Sequence, residues 1–228
     1  MILLQIIDTL ITSSGDIITE EKTSIVTLMM KGGIILIPIV ILSLIATYIF
    51  VERYLTIKKA SKMDPAFMAN IRDYVLNNNI AAAKVLCKNT TTPVARMIEK
   101  GILRIGKPLK DIEVAIENTG KLEIHNLEKR LAGLATIAGA APMLGFLGTV
   151  TGMIRAFFNM SKAGNNIDPS LLAGGIYEAM ITTAAGLAVG IVAYVCYNML
   201  VAMVENVIYK MEANAVEFIE LLQEPVNK

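Results

Sequence analysis

The sequence of 228 residues holds little of what several classes of protein require. It has no tryptophan, one histidine (His125) and two cysteines, Cys87 and Cys196. One histidine leaves little material for a metal site, and two cysteines are too few for a small secreted scaffold held by disulfides. Charged residues make up 18% of the chain, against about 25% in an ordinary soluble domain. The 21 basic and 20 acidic side chains leave a net charge of +1, so the basic field of a nucleic-acid-binding protein is missing.

Apolar residues dominate the chain instead. They account for 54% of it, and the mean hydropathy is +0.58. A helix needs about 20 consecutive apolar residues to cross a bilayer. Runs of that size without charge lie between Lys31 and Glu52, between Arg130 and Arg155, and between Glu178 and Glu205. We interpret them as three membrane helices, because a chain of this size could hardly enclose three such helices in a soluble core.

Basic residues are distributed unevenly among the connections between these runs. The segment from Glu52 to Arg130 holds 15 of the 21 lysines and arginines, whereas the chain up to Lys31 and the stretch from Arg155 to Glu178 hold two each. Loops next to membrane helices are richer in Lys and Arg on the cytoplasmic side. We therefore predict an external N-terminus, a large cytoplasmic segment after the first span and, with three spans, a cytoplasmic C-terminus.

The segment predicted to lie in the cytoplasm has the signals of a soluble helical domain. Thr92 and Pro93 form an N-cap followed by a proline at the first helical position, and the asparagines at 77–79 separate two helical stretches. From Pro108 a helical pattern runs to the second apolar run without a strong break, so we expect one long helix there. The third run continues at helical spacing to about Leu222. Its apolar stripe beyond the membrane requires a partner, which predicts a bundle or an oligomer.

These patterns predict an all-α membrane protein whose three transmembrane helices extend into a helical cytoplasmic domain. The opening segment lacks the basic start and cleavage site of a signal peptide, and its helical spacing of Ile2, Leu3, Ile6 and Ile7 predicts a short interfacial helix, with disorder as the alternative. The predicted organisation is an external N-terminal segment (1–30), a first transmembrane helix (31–52), a cytoplasmic helical domain (53–130), a second transmembrane helix (131–158), an external connection (159–177), a third transmembrane helix (178–204) and a cytoplasmic C-terminal helix (205–228).

The second and third spans carry faces of small residues. Gly145, Gly148 and Gly152 recur on the second span, and Gly186 and Gly190 form a small-xxx-small pair on the third. Small faces let membrane helices approach one another closely. Two interpretations stay open: the faces pack together within one chain, or part of them lines a cavity for a helix of another protein.

A few hydroxyls and one carboxylate are the notable polar groups of these spans. The hydroxyls belong to Thr149, Thr151, Thr182 and Thr183. A threonine in a membrane helix usually bonds to its own backbone, which we expect for at least two of the four, while the others could hydrate a polar path. Glu178, at the outer start of the third span, is costly to place there and is therefore a functional candidate. The alternative is that Glu178 only extends its carboxylate toward the membrane interface. Arg155 is the candidate ion-pair partner of Glu178.

Residue patterns of enzymes are missing. No phosphate-binding glycine loop, nucleophile elbow or pair of catalytic carboxylates is found, so we expect neither an enzyme nor a bound cofactor or metal. The interiors of the three runs hold no Asp, Lys, Arg or His. One chain alone therefore lacks a proton relay in mid-membrane, and if protons cross, another subunit should supply their carrier.

Two motifs together carry a resemblance. The stretches APMLGFLGTVTGMIRAF (141–157) and GGIYEAMITTAAGLAVGIVAYVCYN (174–198) resemble the signature of the MotA/TolQ/ExbB proton channel family. The resemblance extends from about Lys31 to Leu222. Three spans favour the ExbB and TolQ branches over the four-span MotA-type stators, and we favour the ExbB branch, the biopolymer transport proteins of the Ton system.

The resemblance implies a homopentamer around a central pore in the bacterial inner membrane, with a periplasmic N-terminus. In that family the pore holds membrane helices of an ExbD or TolR partner that bring the proton-binding aspartate, and the proton motive force is converted into work on a TonB-like energy transducer. By resemblance, the pore threonine falls on Thr149, the glutamate on Glu178 and the following threonine on Thr183, a role that Thr182 could share. Phe146 departs from the pattern, since many members have a smaller or aliphatic residue there.

Three alternatives stay open at this point. The first is a TolQ-like subunit of the Tol-Pal system, which serves envelope integrity and cell division. The second is a transporter or channel that works without a partner. The third is a scaffold with no ion path, in which the threonines and the glutamate only pack.

Overall fold

The computed structural model describes residues 33–62, 64–162 and 169–223. Within these ranges the chain forms α-helices and no β-strand, which confirms the all-α class. The helices are α1 (Leu36–Ser61), α2 (Phe67–Leu76), α3 (Ile80–Asn89), α4 (Pro93–Ile102), α5 (Leu109–Glu128), α6 (Leu131–Lys162) and α7 (Pro169–Gln223). Our predictions for the N-terminal segment (1–30) and for residues 163–168 and 224–228 lie outside the described residues.

Three helical stretches are long and apolar enough to cross a membrane. They are Leu36–Ser61, Leu109–Lys162 and Leu172–Gln223. With 55 residues, α7 reaches about 80 Å at 1.5 Å per residue, more than twice a hydrocarbon core of about 30 Å. A helix of that length must project well beyond a bilayer, as the uninterrupted sequence pattern predicts.

The described residues fall into two compact units. The first contains 33–38, 144–162 and 169–185; the second contains 39–62, 64–143 and 186–223. Both α6 and α7 contribute residues to each unit.

In the second unit, the C-terminal part of α7 packs against the short helices. Phe218 and Ile116 are almost fully buried, and they meet α4 at Gly101. A Cβ atom on Gly101 would lie 2.7 Å from Phe218 Cε1 and 2.9 Å from Ile116 Cδ1. Val207 and Met211 are also buried on this side of α7. The apolar stripe of α7 therefore finds a partner within its own chain, in the helices that follow α1.

Two of the short helices, α3 and α4, begin where the sequence predicts. The Asn79 side chain accepts a hydrogen bond from the backbone N–H of Ala82 at 3.2 Å, and the Thr92 hydroxyl accepts one from Ala95 at 3.3 Å. Each cap satisfies a backbone donor that lacks a partner within its helix. The break at 77–79 and the helix start at Thr92 are confirmed.

The expectation of one long helix from Pro108 into the second span is wrong. The chain breaks between α5 and α6 at Lys129 and Arg130, and Arg130 adopts a left-handed backbone conformation with φ of 69°. Its guanidinium pairs with Glu52 of α1 at 2.5 Å. Neither Gly nor Pro marks this break, and the partner of Arg130 lies 78 positions away in the sequence.

Candidate functional site

Helices α6 and α7 approach each other closely in the first unit. A Cβ atom on Gly152 would lie 3.0 Å from the Ala179 Cβ and 3.3 Å from the carbonyl oxygen of Gly175. One turn along α6, the space that a Cβ of Gly148 would need is filled by the Thr182 side chain. Glycine at these positions lets the two backbones come near enough for side chains to bond across the contact.

Two hydroxyls meet at this contact. The Thr149 and Thr183 hydroxyl groups are hydrogen-bonded to each other. Thr183 Oγ1 also lies 3.0 Å from the carbonyl oxygen of Gly145 on α6. Thr149 Oγ1 lies 3.3 Å from the carbonyl oxygen of Ala179 on α7 and 3.4 Å from that of Gly145. Both hydroxyls are thus linked to the opposite helix.

The pair can be arranged in two directions, because each hydroxyl has one proton and can both donate and accept. In one arrangement Thr149 donates to Thr183, which donates to Gly145. In the other, Thr183 donates to Thr149, which donates to Ala179. A pair that can reverse its hydrogen bonds is a chemical element suited to passing a proton or orienting water.

The other two threonines bond within their own helices. The buried Thr182 hydroxyl donates to the Ala179 carbonyl at 2.8 Å, three residues back on α7. The Thr151 hydroxyl reaches the carbonyl oxygens of Leu147 at 2.9 Å and Gly148 at 3.1 Å on α6. The structure therefore separates Thr149 and Thr183, which bond across the helices, from Thr151 and Thr182, which do not.

The carboxylate of Glu178 lies further along α7, five residues before Thr183. This separation corresponds to about 7.5 Å along a helix. Arg155 Nη1 of α6 is 3.8 Å from Glu178 Oε1, and the two side chains are 61% and 33% exposed. Glu178 and Arg155, which the sequence suggests as an ion pair, are therefore neighbours in the structure, at the limit of ion-pair distance. An ion pair this long and this exposed holds a carboxylate weakly.

One residue beside this carboxylate could not be identified from the sequence pattern. Gly33, in the turn before α1, lies directly against the Glu178 side chain. The only signal in the sequence is a pair of glycines, Gly32 and Gly33, at the start of the first apolar run. No spacing rule links them to a glutamate almost 150 residues away.

The remaining small residues of the prediction lie in the second unit. Gly186 is buried. A Cβ atom on Gly190 would lie 2.6 Å from Pro142 Cδ and 3.1 Å from the Ala138 carbonyl oxygen. Gly190 thus accommodates the proline ring within α6 and serves packing between α6 and α7.

Metal ligands do not cluster in the part of the chain that the structure describes. No group of three or more His, Cys, Asp or Glu side chains there is arranged to hold a metal ion. His125 instead lines a cavity of about 550 Å³ in the second unit, together with Lys129 and Tyr197.

Several known proteins are similar to this chain. Residues 89–213 match the sequence model of the MotA/TolQ/ExbB proton channel family. Over 177 residues, 76% of this chain and 69% of the relative, it is 30% identical to the putative biopolymer transport protein ExbB-like 1 of Synechocystis sp.. It is 28% identical to the biopolymer transport protein ExbB of Neisseria meningitidis over 174 residues, 70% of this chain and 77% of the relative. Over 78 residues, 34% of each chain, it is 44% identical to the Tol-Pal system protein TolQ of Haemophilus influenzae.

Long apolar helices, two of which pack on glycine beside a half-buried hydroxyl pair, are compatible with a helical membrane protein. The matched region covers more than half of the chain and contains Thr149, Glu178 and Thr183. The chain belongs to the MotA/TolQ/ExbB proton channel family.

Proposed function

We propose that this chain is the ring-forming subunit of a proton-driven motor in a bacterial inner membrane, of the ExbB type. Five copies surround a pore that receives the membrane helices of an ExbD-like partner, and proton flow through the pore energises a TonB-like transducer. The N-terminus lies in the periplasm, and the helices α2–α5 and the end of α7 lie in the cytoplasm. The chain itself is not an enzyme and needs no cofactor.

The hydroxyl pair of Thr149 and Thr183 is the observation that carries this proposal. It occupies apolar spans in which a polar group is costly, and its hydrogen bonds can run in either direction. Glu178 lies on the same helix as Thr183, toward the predicted outer end. We assign these three residues to the chain's share of the proton path, and Thr182 to the packing of α6 on α7.

The composition of the spans supports the need for a partner. The interiors of the three apolar runs contain no Asp, Glu, Lys, Arg or His, so we expect no carboxylate, imidazole or cation of this chain at the bilayer centre. A threonine hydroxyl does not release and take up a proton near neutral pH, whereas a carboxyl group can. A partner helix with one acidic residue would complete the path. The 28% identity to a protein named ExbB over most of its length favours the ExbB type.

The energy released by each proton limits how few protons can drive one cycle of the motor. One proton that crosses 100 mV releases about 2.3 kcal/mol. Pulling a protein through a conformational change requires more than that, so we expect several protons for each cycle.

The decisive experiment is reconstitution with and without the partner. The full chain is purified alone and with its co-expressed genetic neighbour, the mass of each complex is measured in detergent, and proton flux is followed in liposomes with a pH-sensitive dye. We expect a pentamer in both cases and flux only with the partner. Flux from the chain alone would indicate a channel that works without a partner. A complex with normal mass and no flux under any membrane potential would indicate a scaffold.

A TolQ-like role is the second candidate, and the local 44% identity to a TolQ protein favours it. The two roles differ in what deletion of the gene does to the cell. Loss of an ExbB-type subunit impairs growth under iron limitation, whereas loss of a TolQ-type subunit causes detergent sensitivity. Complementation of each phenotype by this chain decides between them.

A further inference from the structure

Gly33 combines a special backbone conformation with a close contact. It precedes α1 with φ of +65°, in the left-handed region that residues with a side chain rarely adopt. A Cβ atom on Gly33 would lie 3.0 Å from Glu178 Cδ and 3.6 Å from Glu178 Cγ, and it would overlap Oε1. Two independent features, the backbone conformation and the neighbouring carboxyl group, therefore favour glycine here.

The charged neighbour of the carboxylate in the described structure is loosely held. Arg155 Nη1 of α6 lies 3.8 Å from Glu178 Oε1, beyond the usual length of a direct hydrogen bond. The arginine is 61% exposed and the glutamate 33%. Because this pair is long and only partly buried, Arg155 alone does not fix where the carboxylate lies.

We propose that Gly33 is a positioning residue for Glu178: the missing side chain leaves the space in which the carboxylate rests between the turn before α1 and Arg155. The inference depends on the proposed function only in that Glu178 is counted as part of the proton path. The turn before α1 thereby sets the geometry of a polar group on α7.

A methyl group at position 33 should move the carboxylate and leave the fold intact. The atoms that it would meet belong to the end of a flexible side chain rather than to backbone. Gly106 provides a matched control, because it also has a left-handed conformation, with φ of +93°, and a Cβ atom placed on it would meet no other atom within 4 Å. Asparagine tolerates the left-handed region, so Gly33→Asn introduces the collision with less backbone strain than Gly33→Ala.

The test uses the full chain, co-purified with its partner and reconstituted in liposomes. The rate at which dicyclohexylcarbodiimide labels the Glu178 carboxyl group is measured at one fixed pH by mass spectrometry, and proton flux is measured in parallel. We expect Gly33→Ala and Gly33→Asn to change the labelling rate about tenfold and to lower the flux about tenfold. Gly106→Ala should change neither. A labelling rate in both Gly33 variants equal to that of Gly106→Ala would overturn the proposal, whatever the flux.

A double-mutant cycle keeps the inference testable if Gly33→Ala assembles poorly. Glu178→Asp shortens the side chain and withdraws the carboxylate from position 33. In that background we expect Gly33→Ala to change flux and complex yield by less than about twofold, whereas a loss as large as in the wild-type background would contradict a role through Glu178. If Glu178→Ala leaves flux normal, its place in the proton path is wrong, yet the change in labelling rate still decides the role of Gly33.

Discussion

The hydroxyls of Thr149 and Thr183 bond to each other across α6 and α7, although the residues are 34 positions apart. Their contact depends on the glycines beside them. Gly148 and Gly152 bring the two backbones together, so each hydroxyl reaches a carbonyl of the opposite helix as well as the other hydroxyl. The face of small residues and the polar pair are therefore parts of one arrangement: without the close approach, each threonine would have only its own helix to bond to.

Removing either hydroxyl of the pair should block proton flow. Thr149→Val and Thr183→Val keep the shape of the side chain and remove the group that donates and accepts. We expect each to lower proton flux in liposomes by about tenfold or more, since a positioned proton-transfer group contributes about 100-fold or more, with the complex intact. The measurement is dye-monitored flux at fixed membrane potential.

Thr151 offers the matched control for this pair. Its hydroxyl bonds only to carbonyls of its own helix in the described structure, so Thr151→Val should leave flux within about twofold of the wild type. Equal losses in all three variants would show that the hydroxyls matter for assembly alone, and the path assignment would be wrong.

Gly148→Ala should weaken the packing of α6 on α7. The added methyl would meet the buried Thr182, whose Cβ would lie 2.6 Å and Cγ2 3.2 Å away. Because a β-branched side chain is stiff, Thr182 cannot easily turn aside, and we expect a loss of about 1–3 kcal/mol in stability, as for other overpacked contacts. Thermal unfolding in detergent measures it. Gly139→Ala in the same helix, where an added Cβ would meet no other part of the described structure within 4 Å beyond its own helix backbone, should be close to neutral; if it is equally destabilised, the effect reflects helix chemistry and not this contact.

Much of the fold follows from the sequence because its signals are local. Apolar runs of membrane length give the three long helices, and the caps at Asn79 and Thr92 give the starts of α3 and α4. The break at Arg130 could not be predicted, because no Gly or Pro marks it and the residue that Arg130 contacts, Glu52, lies on another helix. Helix propensity and turn residues contain no information about such a distant partner.

The site was predictable in its residue types and only partly in its geometry. Residue spacing and resemblance identify Thr149, Thr183 and Glu178. They do not decide whether Thr182 or Thr183 has the role of the second threonine. The structure separates them, since Thr182 fills the space beside Gly148 and Thr183 faces Thr149. No periodicity rule could predict the role of Gly33, because Gly33 belongs to a turn that contacts Glu178 only in the folded chain.

The Cys87 thiol should be unreactive at neutral pH. Burial, with a smaller contribution from the charge of Glu99, raises the pKa of Cys87 from 9.0 to about 12. The folded state thus favours the neutral thiol, so the contribution of Cys87 to stability is complete below pH 9 and is lost as the pH rises from 9 toward 12. We expect iodoacetamide to modify Cys87 much more slowly in the folded chain than in the denatured chain at about pH 8. Equal rates in the two states would contradict this, as would an unchanged loss of stability at high pH in Cys87→Ala.

A group of charged side chains links the end of α1 to the break between α5 and α6. Arg53, with a side chain only 8% exposed, pairs with Glu52 at 2.5 Å and donates to the backbone carbonyl of Asn126 at 3.2 Å. Glu52 pairs in turn with Arg130 at 2.5 Å. Arg53 is therefore the buried member that ties α1 to the last turn of α5.

Replacement of this buried arginine should destabilise the chain more than replacement of an exposed cation. Arg53→Met keeps the apolar length but leaves the Asn126 carbonyl without its donor, and we expect a loss of about 1–3 kcal/mol in the free energy of unfolding. Lys121, which is 68% exposed and pairs with Glu117 within α5, is the control, and Lys121→Met should cost no more than about 0.5 kcal/mol. Thermal unfolding of the two variants in the same detergent gives the comparison. Equal midpoints would mean that Arg53 contributes no more to stability than an exposed lysine, and its role in joining α1 to α5 would be wrong.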